Sequence, residues 1–144
     1  MRATDVLRDT FPENKVGVTF FKEGRVLVLH LYSRHLRCVF PQAGPGKKHR
    51  RRIVLADWQE DCIGAAPWAL LRGLINSDGC SFINRTGPYE YLCYEFANHS
   101  QDILDLFCAT CDRVAVEYRR YAKCVRIYKR PSVALLKSQV GVKS

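Results

Sequence analysis

Between residues 67 and 79 the chain sets Leu70, Leu71, Leu74 and Ile75 at the spacing of one helical face, then stops at Asp78-Gly79. On both sides the pattern switches between helical spacing and short strand-like runs. Residues 3–11 read as a helix with Thr4 as N-cap and Pro12 just beyond its end. The runs KVGVTFF and RVLVLHLY flank Lys22-Glu23-Gly24 as a hairpin, and residues 33–40 read as a helix closed by PQAGPG. Asp57 is placed to cap a short helix, DWQEDCIGA, and Pro67 takes a favoured first-turn position in the next. CSFINR and YEYLCYEF form a second hairpin turning at Thr86-Gly87-Pro88. Ser100 caps the helix QDILDLFCATC. RVAVEYRR and KCVRIYK make a third hairpin, and PSVALLKSQV a last helix with Pro131 at its start. The predicted order is αββα, a linking helix, then αββαββα.

That order hides a repeat. Asp5-Val6-Leu7 matches Asp102-Ile103-Leu104, Val16 and Val18 match Val114 and Val116, and Tyr32 matches Tyr128. Gly44 falls on Gly141, and Lys47 near Lys143. A nearly constant offset over so long a stretch argues for internal duplication. The second copy is preceded by the helix and hairpin of residues 67–96, and the first is not, so the chain reads as one and a half repeats. We divide it into a partial first repeat with a basic linker loop, residues 1–56, and a complete repeat, residues 57–144.

Two details of the helix ending at Asp78 resist a purely structural reading. Gly73 and Ser77 put small residues four apart on one face, and Asp78 brings a carboxylate to a C-terminus whose dipole disfavours negative charge.

Composition narrows the partner. Hydrophobic residues make up 47% of the 144, as in a folded globule, while 23 Lys+Arg against 14 Asp+Glu leave a net charge of +9. Such an excess favours a polyanion, most often nucleic acid. Six consecutive basic residues, Lys47, Lys48, His49, Arg50, Arg51 and Arg52, have no interleaved acid and read as a phosphate clamp. Seven cysteines sit singly in apolar runs, and no apolar run approaches membrane-spanning length. These features imply a reducing cytoplasm and no membrane partner, and leave the Asn84 and Asn98 glycosylation patterns without meaning.

Leu71-Arg72-Gly73-Leu74-Ile75-Asn76-Ser77-Asp78-Gly79 resembles, position by position, the LAGLIDADG motif of homing endonucleases. The downstream ββαββα order is that family's unit. The chain is also similar to bacterial LAGLIDADG-like proteins described as transcriptional regulators. The resemblance implies an α+β saddle, with an αββαββα unit preceded by a partial αββα repeat. It implies that two motif helices pair through Leu70, Gly73, Leu74 and Ser77, in a homodimer or within a longer two-motif protein. It further implies that Asp78, with Gly79, ligates Mg²⁺ beside a scissile phosphate. Lys129, with Arg130 as the alternative, takes the place of a basic residue close to that phosphate. One departure is Asn76, which stands where the motif's first aspartate usually lies.

In that family the strands carry the contacts with double-stranded DNA, which here selects Arg85, Arg119, Arg126 and Tyr128. Strand alternation pairs Arg126 with Tyr128 on one face and Arg119 with Glu117 on another. The expected activity is Mg²⁺-dependent, site-specific phosphodiester hydrolysis, with a non-catalytic DNA-binding regulator as the alternative. Either would be cytoplasmic and associate with the nucleoid when bound to DNA, and neither takes a small-molecule substrate. Cys108-x-x-Cys111 lies within an apolar helix without a second ligand pair at finger spacing, so buried thiols are expected there rather than zinc. His30 and His35 need only ordinary strand and helix roles.

Overall fold

Alternating apolar runs and helical stripes together produce an α+β structure, with six α-helices and two antiparallel sheets among the described residues. The computed structural model describes residues 3–143, apart from the side chain of Lys48. Contacts divide the chain into two units that meet between Ala43 and Gly44. By this division the basic segment, residues 47–52, goes with the second unit.

The first unit contains α1 (Ala3–Thr10), the hairpin β1 (Gly17–Phe21) and β2 (Val26–His30), and α2 (Leu36–Val39). Thr4 lies inside α1 rather than ahead of it. The hairpin reverses through Lys22, Glu23 and Gly24, all at positive φ. Among the described residues of this unit only Phe11 is a buried large apolar side chain, and Val18, Phe20, Phe21 and Leu27 are exposed. The helix expected over residues 33–40 is confined to four residues. A turn from Leu36 N–H to the Ser33 carbonyl (3.3 Å) precedes it, and Pro41 follows.

The second unit contains α3 (Asp57–Ala65), α4 (Pro67–Asp78), β3 (Gly79–Thr86), β4 (Tyr89–Ala97), α5 (Gln101–Arg113), β5 (Arg119–Arg120), β6 (Cys124–Ile127) and α6 (Arg130–Gln139). Asp57 is the first residue of α3 and not its cap. The N-cap is Ala56, whose N–H donates to Gln59 Oε1 at 3.0 Å. Ser100 caps α5 as expected, its Oγ accepting from Ile103 N–H. β5 is much shorter than the run RVAVEYRR suggested, because α5 takes Arg113 and the chain then turns back on the helix end, with Ala115 at positive φ and Val116 N–H donating to the Cys111 carbonyl.

The four strands pair in the order β3-β4-β6-β5, all antiparallel. Side chains alternate across a sheet, so Tyr94 and Phe96 of β4 share a face with Val125 and Ile127 of β6. All four are fully buried, packed with Leu71 and Ile75 from α4, Leu104, Phe107 and Cys111 from α5, and Leu136 from α6. Phe96 stacks on Phe107 with ring centroids 4.5 Å apart. The helices therefore cover one face of the sheet, and the opposite face carries Cys80, Glu95, Arg119 and Arg126.

α4 runs into β3 without a loop, which places Gly79 where no side chain fits. A Cβ there would lie 2.7 Å from Ile75 Cα and 3.2 Å from the Glu95 carbonyl oxygen. Gly73 is the opposite case: its added Cβ would meet nothing within 4 Å.

Candidate functional site

α4 buries Leu71 and Ile75 and half-buries Leu70 and Leu74, leaving Ala69, Gly73 and Ser77 exposed at intervals of four residues. Of the four residues selected for helix pairing, Gly73 and Ser77 thus lie on the open side, while Leu74 packs against the core. Ser77 Oγ donates back to the Leu74 carbonyl at 2.9 Å.

Asp78 ends the helix in an exposed position, and Asn98 Nδ2 donates to its Oδ2 at 3.3 Å. The cation at this helix end belongs to the protein itself. Lys143 Nζ donates to the carbonyl oxygens of Ile75 (3.2 Å), Asn76 (2.6 Å) and Ser77 (3.2 Å). The Ile75 carbonyl also accepts from the Gly79 N–H, while those of Asn76 and Ser77 are carbonyls of the kind a helix terminus leaves without backbone partners, and a positive charge there complements the dipole.

A short strap holds the lysine in place. Arg72 donates through Nε and Nη2 to the Gln139 carbonyl, and Tyr94 Oη donates to the Gly141 carbonyl at 2.7 Å. Gly141, at φ +91, turns the chain, and Ser81 Oγ then accepts from Lys143 N–H (3.0 Å) and donates to its carbonyl (2.5 Å). Sequence reasoning aligned Lys143 with the first repeat but did not foresee this role, since its three acceptors lie 66 to 68 residues earlier in the chain.

No group of three His, Cys, Asp or Glu side chains placed to hold a metal ion occurs among the described residues. One chain offers a single carboxylate, Asp78, beside Gly79. Mg²⁺ is usually held by one or two carboxylates, with waters and substrate phosphates completing its shell. A carboxylate and a carbonyl of this kind fit that ion as part of such a shell, with the remaining places left to waters and phosphates.

Lys129, selected for a place near the phosphate, forms an ion pair with Glu117 Oε2. That hydrogen bond and the carboxylate charge raise its pKa. No hydrogen bond or ion pair links it to Asp78 among the described residues. Arg130 opens α6 and is exposed.

Cross-strand register corrects the expected distribution of the sheet's cations. Arg119 is the register partner of Arg126, so these two share one face rather than lying on different ones. Arg85 pairs in register with Glu90 on the side of Tyr94 and Phe96, and is bound to that glutamate at 2.6 Å. Arg120 is held by Asp105 and Gln101, both at 2.9 Å. Tyr128 is half exposed just beyond β6.

In the basic segment, Arg51 Nη1 donates to the Gly44 carbonyl, and the His49 and His99 rings lie 5.9 Å apart. Ile53 N–H donates to Asp102 Oδ2 at 2.6 Å, fastening the segment's end to the first turn of α5. Lys47, Arg50 and Arg52 remain exposed, and the side chain of Lys48 lies outside the described residues. Cys108 and Cys111 are buried in α5, where burial pushes the Cys111 thiol's pKa up.

The chain matches no protein-family model. A stretch of 59 residues, 41% of the chain, is 30% identical to part of an uncharacterized protein from Methanocaldococcus jannaschii. It covers 22% of that protein's length. No helix among the described residues is long and apolar enough to cross a membrane.

Proposed function

We propose that this chain is a LAGLIDADG-type protein that binds double-stranded DNA on the open sheet face, with Lys47, Arg50 and Arg52 contacting phosphates. The observation that carries the reading is the separation of faces: the helices occupy one side of the four-stranded sheet, and Arg119 and Arg126 stand together on the other. A net charge of +9 supplies the attraction, which weakens steeply with salt because phosphate contacts release counterions.

In the leading reading two α4 helices meet through Gly73 and Ser77 and bring two Asp78 carboxylates together. Asp78 and the Gly79 carbonyl would hold Mg²⁺, which when bound activates water and stabilises the leaving oxygen. Asn98 orients the carboxylate through one oxygen, and Lys143 offsets the helix-end dipole that would otherwise oppose charge at Asp78. The saddle shape and the two-helix centre belong to this proposal.

A second reading, a non-catalytic regulator, is favoured by two observations. Asn76 removes one of the motif's acids, and Lys143 already places a positive charge at the helix end.

Incubating the purified chain with a randomised duplex library, with and without Mg²⁺, tests both readings. Specific cuts abolished by Asp78→Ala, with duplex binding retained, support the nuclease. Sequence-selective binding without cutting by the unaltered chain establishes the regulator, and failure to bind any duplex at low salt defeats both.

A further inference from the structure

One cross-strand row on the open face is not explained by stability. Cys80, Glu95, Arg126 and Arg119 are successive register partners across β3, β4, β6 and β5. Like charges directly opposite each other weaken a sheet. Here the repulsion is offset from two sides. Arg126 Nε donates to Glu95 Oε2, and both guanidinium groups lie against the Tyr121 ring, 5.5 Å from its centroid for Arg119 and 5.3 Å for Arg126. Cation–π contact of this kind is attractive.

Arg126 is thus held at its inner nitrogen by Glu95 and set over the Tyr121 ring. The Cys124 thiol, two residues earlier in β6, also hydrogen-bonds the Arg126 side chain, Glu95 is the carboxylate paired with it, and Arg119 has no carboxylate partner among the described residues. A guanidinium fixed through Nε presents its terminal pair of N–H donors end-on. Guanine offers the matching pair of acceptors, O6 and N7, in the major groove. A lysine ammonium in the same place carries the charge without the fork.

We propose that Arg126, oriented by Glu95 and Tyr121, reads a guanine in the major groove of duplex DNA, and that Arg119 reads the adjoining base pair. This rests on the duplex-DNA reading above and adds a sequence preference to it. Cross-strand neighbours lie about 5 Å apart, and successive base pairs about 3.4 Å, so two long side chains from this pair span a single base step. Glu95 acts as a positioning residue. The other sheet arginines are engaged elsewhere, Arg85 by Glu90 and Arg120 by Asp105.

The test is selection of bound sequences from a randomised duplex library by the unaltered chain and by Arg126→Lys, Arg119→Lys and Glu95→Gln, each first matched for thermal unfolding. The unaltered chain enriches guanine at one position with a second preference next to it. Arg126→Lys loses discrimination at the guanine by about 10- to 100-fold, the worth of a bidentate pair, a larger loss than it shows in affinity for unselected duplex. Arg119→Lys loses only the neighbouring preference. Glu95→Gln removes a negative charge, so it binds unselected duplex at least as tightly yet discriminates less. A guanine preference surviving Arg126→Lys, or unchanged discrimination in Glu95→Gln, overturns the proposal. Duplex binding without any sequence preference overturns it and leaves the DNA reading standing, whereas failure to bind duplex removes both.

Discussion

Lys143 Nζ lies 2.6 Å from the carbonyl oxygen of Asn76 and closes the C-terminus of the helix that carries the motif. Two further carbonyls, those of Ile75 and Ser77, accept from the same ammonium. Lys143→Met keeps the chain length and removes the charge. It is expected to destabilise the chain by about 1–2 kcal/mol, as charged caps at helix ends do. Denaturant unfolding measures the loss. Lys143→Arg, which retains the charge, should recover part of it, and equal effects of the two substitutions would argue against an electrostatic cap.

Gly73 separates folding from association. Its added methyl meets open space in the single chain, so Gly73→Ala should stabilise the monomer by about 1 kcal/mol through helix propensity alone. If α4 pairs with a second α4 across this face, the same methyl pushes the helices apart. Sedimentation of both proteins over a range of concentrations should then show weaker self-association in the more stable variant. Increased stability with unchanged association would remove Gly73 from any interface.

Gly79→Ala is predicted to act in the opposite direction. The methyl would collide with the backbone of Ile75 and approach that of Glu95, neither of which yields as a flexible side chain can. A loss of about 1–3 kcal/mol or more is expected, in line with overpacking of a close-fitted site. Thermal unfolding of Gly73→Ala and Gly79→Ala side by side should move in opposite directions.

Alkaline titration reports on Tyr118. Burial, then the charges of Cys108 and Asp112, raise its phenol pKa to about 12 from an ordinary 10. Tyr118 Oη also donates to Asp112 Oδ2 at 3.2 Å. The folded state thus keeps a proton that the unfolded state releases first. The associated stability is complete below pH 10 and declines as pH rises toward 12. Ultraviolet titration of phenolate should show a late-ionising tyrosine that disappears in Tyr118→Phe, and the variant's stability should fall less steeply over that interval.

Much of the fold was legible because the signals that specify helices and hairpins are local. The spacing of Leu71 and Ile75, the Ser100 cap, the Gly87 turn and Pro131 near the start of α6 each act within a few residues, and each element formed where they point. Errors arose where neighbouring elements compete for the same residues. α5 took Arg113, the turn after it with Ala115 at positive φ used up the following residues and left β5 only two, and the turn at Ser33 together with Pro41 confined α2. The basic segment was visible as charge, but its fastening by Asp102 and His99 was not.

The sequence by itself determined the order of elements, the apolar stripe of α4, the basic excess and the presence of a lone carboxylate at Asp78. Only the tertiary structure decided that Lys143 answers the helix end and that Arg119 stands opposite Arg126 beside Tyr121. Periodicity is read over one or two turns of chain, whereas a cap from a residue 67 positions away and a register between strands depend on how the whole unit closes around its core.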